Sequence, residues 1–81
     1  MRYFFNLAGA VHDPDNAGLE LADMGSARLM AAQHAGELLR DRPGLVWQGE
    51  ELRVEVTDCD RLVMFTVIVL GVDAPASLGK K

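Results

Sequence analysis

Between Glu51 and Thr57 the chain alternates strictly. Leu52, Val54 and Val56 are apolar, and Arg53, Glu55 and Thr57 are polar. A period of two residues puts the apolar set on the inner side of a β-strand and the polar set on the outer side. The stretch that follows, Leu62 to Val72, is apolar almost throughout and is interrupted by Thr66. As a strand it carries Val63, Phe65, Val67 and Val69 on one face and Leu62, Met64, Ile68 and Leu70 on the other. Apolar character on both faces predicts a central strand, or a sheet whose second face is covered by a partner. Asp58 to Arg61 reads as a tight turn, so the two strands form a hairpin.

The first residues have a similar character. Arg2 to Leu7 contains Tyr3, Phe4 and Phe5, all strong strand formers. Tyr3, Phe5 and Leu7 share one face and Phe4 points the other way, as in an interior strand. His12 to Gly18 is dense in turn formers, and Leu19 to Ala22 is expected to pair back as a short strand. Asp23 is a good helix N-cap, because its carboxylate can accept from the free N–H groups of the first turn. The helix is predicted from Met24 to about Asp41. Pro43 and Gly44 stop it, and Arg40 and Arg42 complement its dipole.

On a helical wheel Met24, Ala27, Ala31, Ala35 and Leu38 form one apolar stripe, opposite Ser26, Gln33, Glu37 and Arg40. Leu29, Ala32, Gly36 and Leu39 form a second, weaker strip, expected to lie partly under a loop or against another helix in a homodimer. The predicted fold is α+β in the order β-β-α-β-β. A single amphipathic helix packs on one face of an antiparallel sheet of three or four strands. Residues 2–72 make one domain, and 73–81 a flexible C-terminal tail. One helix cannot cover both faces of a sheet, so the surplus apolar surface predicts a second copy of the chain. Leu29, Ala32, Gly36, Trp47, Met64 and Ile68 are the candidate interface residues. Trp47 is expected to plug the sheet edge from below, or to anchor a partner if exposed.

Composition narrows the function further. The chain has 81 residues, 49% of them hydrophobic, and a net charge of -4 from 8 basic and 12 acidic residues. That is room for one small domain. The acidic balance and the scattered basic residues argue against nucleic-acid binding. The longest apolar stretch is too short to cross a bilayer as a helix, so no membrane partner is expected. The single Cys59 excludes an internal disulfide, and no signal peptide is expected, because Asn6 and Gly9 break the short apolar run at the start and acids follow at Asp13 and Asp15. Together these predict a cytoplasmic protein.

Candidate chemistry is sparse. Asp13, Asp15 and Gly18 match positions one, three and six of a calcium loop. Ala17 at the fifth position and Met24 at the twelfth do not. An Asx-rich turn, its side chains bonded to their own backbone, fits better. His12 and His34 have no partner at metal-ligand spacing. Cys59 lies between Asp58 and Asp60 and reads as a turn residue. Ser26 and Ser77 lack the context of a serine nucleophile, and there is no phosphate-binding glycine loop. No cofactor and no catalytic residue is therefore expected. An enzyme or small-ligand binder would have to use His12, Asp13, Asp15 and Glu20 around the turn. A ligand-sized pocket converging there would favour it.

Tyr3-Phe4-Phe5, Asp13, the run Gly18-Leu19-Glu20-Leu21-Ala22-Asp23, the helical alanines and Leu52 to Asp58 resemble a family of short bacterial domains of unknown function. The resemblance spans residues 2 to about 72. Asn6 stands where an aspartate is common, and Cys59-Asp60-Arg61 where an acid and glycine are usual. It implies the fold and no site. A weaker similarity is to HicB-like antitoxins, which implies an acidic regulator covering a basic toxin. The usual motif at the start of their helix and a DNA-binding extension are missing here. The function expected from the sequence is a small interaction or structural module acting as a homodimer. The alternatives are the antitoxin-like regulator and the ligand binder at the turn.

Overall fold

The alternating apolar positions find each other in the sheet. In the computed structural model, which describes residues 1–77 and 79, β1 (Arg2–Gly9) pairs with β3 (Leu52–Thr57), and β3 pairs with β4 (Val63–Val69). Phe5 lies opposite Val56 and Leu7 opposite Val54. Val56 in turn lies opposite Phe65, and Val54 opposite Val67. Directly opposed residues share a face, so one side of the sheet is a continuous apolar surface. The short β2 (Leu19–Glu20) pairs with β1, which gives an antiparallel sheet in the order β2-β1-β3-β4. Leu52, Val54 and Val56 are fully buried. Each contributes about 1.5–3 kcal/mol of apolar burial.

The α-helix α1 (Met24–Asp41) covers that surface. Asp23 caps it, Oδ1 accepting from Ser26 N–H at 2.7 Å. Ala27, Ala31 and Ala35 are buried at the contact. Their small side chains let the helix lie close to the sheet, while Met24 and Leu38 pack at its ends. Arg42 N–H donates to Leu38 C=O at 2.8 Å, and Pro43–Trp47 forms a 3₁₀ turn. The plug in this turn is Leu45, 2% exposed, and Trp47 is not: it is 60% exposed. A three-residue helical period carries only one side chain of so short a turn inward.

Several expectations are corrected. The last strand is an edge strand and not a central one, and it is shorter than its apolar run. Its two-sided apolar character therefore leaves Val63, Met64 and Ile68 exposed. Opposite Val56 and Thr57 the pairing skips Met64, a bulge that interrupts the alternation. The second strand ends at Glu20, short of Ala22. Thr57 points away from the helix and is nevertheless buried, taking a hydrogen bond from Asn6 Nδ2 at 3.4 Å. In the expected tail Pro75–Ser77 forms a second 3₁₀ turn; residues 78, 80 and 81 of that tail lie outside the described ones.

Gly9 closes β1 at a crowded point. Its φ is +78°, and a Cβ there would sit 2.1 Å from Glu51 O, the same carbonyl that accepts from Ala10 N–H at 2.9 Å. Both the backbone angle and the lack of space demand glycine. Gly9→Ala is expected to cost about 2–3 kcal/mol or more, read as a lower urea midpoint. An unchanged midpoint would refute this account of the turn.

Candidate functional site

β1 has eight residues and β2 only two, so most of the outer edge of β1 needs another partner. The loop of residues 10–18 supplies it. Leu7 and Asp13 exchange backbone hydrogen bonds at 3.0 and 3.1 Å. Further along the edge, Phe5 N–H donates to Asp15 Oδ2 at 3.1 Å. The other carboxylate oxygen, Oδ1, accepts from Ala17 and Gly18 N–H, both at 3.0 Å. One side chain thus stands in for a strand and also closes its own Asx turn. Burial alone would raise the Asp15 carboxyl. The N–H donors of Gly18, Phe5 and Ala17, together with the Arg61 guanidinium, outweigh it and hold it below the ordinary aspartate value.

Two residues tie this loop to the rest of the sheet. Asn6 Oδ1 accepts from Asp15 N–H at 2.9 Å, and its Nδ2 donates to Glu55 C=O at 3.1 Å. The position uses an acceptor and a donor together, which an ionised aspartate cannot provide. Arg61, in the hairpin turn, places its guanidinium 4.3 Å from the centroid of the Phe4 ring and donates from Nη1 to Asp15 C=O at 3.1 Å. Its φ of 65° is costly for a non-glycine residue. The cation–π contact and the hydrogen bond offset part of that cost.

Between the loop and α1 lies a half-open cleft of about 560 Å³. Phe5, Leu7, Leu19 and Met30 give it apolar walls, and Asp13, Asp15, Asn16 and His34 line its polar side. The volume is in the range of small-molecule sites, about 300–1,000 Å³. Of the residues suggested for a turn-centred site, Asp13 and Asp15 are brought together here. His12 is exposed and does not line the cleft. Glu20 is bound instead to the N-terminal ammonium, whose hydrogen bond and charge hold its carboxyl below the ordinary value.

The candidate interface residues are spread over three elements. Leu29, 75% exposed, lies on α1 with the exposed Ala32 and Gly36. No loop among the described residues covers this strip. Met64 and Ile68 are exposed on β4. Trp47 lies flat against the backbone after β4, its ring carbons about 3 Å from where a Gly71 Cβ would be. Sequence reading missed Met30, which lies outside the main apolar stripe of α1, and the role of Arg61. A positively charged residue at the glycine position of a turn was the available signal for the latter.

Residues 2–71, which include the β1 edge, the helix and the hairpin, match a family described as a domain of unknown function, DUF6894. The chain belongs to the DUF6894 family. No curated protein and no solved structure matches it. For this DUF6894 chain, the closed β1 edge, the cleft and the open β4 edge are the features from which function must be read. No helix among the described residues is long and apolar enough to cross a membrane.

The sign of the Asp15 shift sets a pH dependence. A carboxyl with a lowered folded-state value stabilises the fold above its unfolded-state value. That contribution is lost as pH falls through the folded-state value. Wild-type stability should therefore fall on acidification below about pH 4. Asp15→Ala should be less stable near neutrality by about 1–3 kcal/mol and should lose less on acidification. Urea unfolding of both proteins at neutral and acid pH measures the difference; parallel losses would exclude Asp15 as a source.

Trp47 is the only tryptophan and reports on its own contact. Gly71→Ala should push the indole off the backbone and shift its emission to longer wavelength, with a stability cost of about 1 kcal/mol. An unshifted spectrum would show that the ring does not rest on Gly71.

Proposed function

We propose that this protein is a small cytosolic interaction module that works as a homodimer joined through β4. The observation that carries the reading is the outer edge of that strand. β4 ends the sheet and runs for seven residues without a charge or a proline. Sheet edges are ordinarily guarded by charge, proline, a bulge or a covering element. Among the described residues the Met64 bulge is the one such device on β4, and Phe65 to Val69 beyond it pairs regularly.

A two-fold pair requires a strand compatible with its own reverse. Antiparallel pairing about Val67 opposes Phe65 to the copy's Val69, and Thr66 to the copy's Ile68. Every opposed pair is uncharged, so the net charge of -4 places no repulsion in the contact itself. Phe65, Val67 and Val69 are half-buried on the helix side and gain apolar neighbours across the two-fold axis. Ile68, 60% exposed, does so on the other face. The cytosolic placement rests on the single cysteine, which makes no internal disulfide.

Light scattering over a micromolar concentration series should give a dimer mass for the wild type. The double substitution Thr66→Lys, Ile68→Lys puts like charges opposite each other across the axis. It should give a monomer with an unchanged far-UV spectrum. A wild type that remains monomeric throughout would overturn the proposal, as would a double variant that remains dimeric.

A further inference from the structure

We infer that the cleft between α1 and the loop of residues 10–18 binds a small organic cation with an apolar, ring-sized body, of the arylalkylamine class. The cleft lies by β1, across the sheet from the β4 edge, so the inference stands apart from dimerisation. Its two parts differ in chemistry. Phe5, Leu7 and Met30 form an apolar wall on which an aromatic ring can stack against the Phe5 ring and the Met30 thioether.

The formally charged side chains that line the cleft are the carboxylates of Asp13 and Asp15. Asp13 holds β1 through its backbone alone, by the exchange with Leu7, which leaves its exposed carboxylate for a ligand. Against the effect of burial, the Asp15 carboxyl is held below the ordinary aspartate value by its backbone donors and Arg61, and among the described residues Oδ2 accepts from Phe5 N–H only. Among the described residues no lysine or arginine lines the cleft. Two arginines border the loop outside the cleft lining: Arg61 lies over the Phe4 ring and donates to Asp15 C=O, and Arg2 donates to Ala17 C=O at 2.9 Å. An apolar body therefore enters a site whose formal charge is negative. An ammonium at its edge adds a charge-assisted contact, whereas a carboxylate of the same shape meets repulsion.

The test is a titration of isotope-labelled protein followed by amide shifts, using phenethylamine, 2-phenylethanol and phenylacetate, which share a body and differ in charge. Phenethylamine should give saturable shifts at the amides of Asp13, Asp15, Asn16, Ala17, Met30 and His34. The alcohol should bind more weakly and phenylacetate not at all. Asp13→Asn, which keeps the shape of the loop, should weaken phenethylamine binding about threefold to fivefold. Met30→Lys should abolish it with the far-UV spectrum unchanged. No saturable shift at the cleft with phenethylamine, equal binding of phenylacetate, or an undiminished affinity in Asp13→Asn would each overturn the inference.

Discussion

The carboxylate of Asp15 replaces a missing strand. β1 needs hydrogen-bond partners along its outer edge, and β2 is too short to supply them. A buried N–H left without a partner costs about 1–3 kcal/mol, a large share of the stability of so small a domain. Asp15 satisfies Phe5 and at the same time fixes the turn at Ala17 and Gly18. With the loop held there, Asn6 can bridge from it to β3, and Arg61 can reach it from the hairpin turn. The cleft exists because the loop stands off from α1 at this fixed position.

The two edges of the sheet are treated differently. The β1 edge is closed by a loop, an Asx turn and a short strand. Among the described residues no strand pairs with the outer edge of β4, and that strand carries no charge. The two faces also differ. α1 covers one with a row of alanines. The other carries Arg53 between Glu51 and Glu55 in a chain of ion pairs, with Thr66 and Ile68 toward the rim. This asymmetry separates an uncharged strand edge on one side from a ligand-sized space on the other.

Much of the fold was legible in the residues. Period-two alternation from Leu52 to Val56 and the Ala27–Ala31–Ala35 stripe are local patterns, and each implies its own buried face. Asp23 and Pro43 mark the helix ends through backbone chemistry that depends on few neighbours. What failed needed a neighbour to be known. A run of apolar residues on both faces suits a central strand or an edge strand that is later covered. Nothing within β4 distinguishes them, because the difference is whether another chain lies alongside. Likewise Leu45 and Trp47 stand two residues apart in an apolar run, and the 3₁₀ geometry decided which of them turned inward.

The site shows the same division. The acids of residues 13–15 and the glycine at 18 announced an Asx turn, since short side chains beside flexible backbone accept from nearby N–H groups wherever they occur. That Asp15 also serves Phe5, that Asp13 faces His34 and Met30 across a cleft, and that Glu20 is drawn away to the N-terminal ammonium were decided by the packed structure. These contacts join residues that the sequence keeps far apart, and their geometry follows from how α1 and the loop settle against β1. The sequence by itself determined the elements, the helix-side core and the turn chemistry, because those depend on spacing within one segment. Tertiary structure alone decided which edge stayed open and which polar groups converged, because both depend on the relative placement of segments.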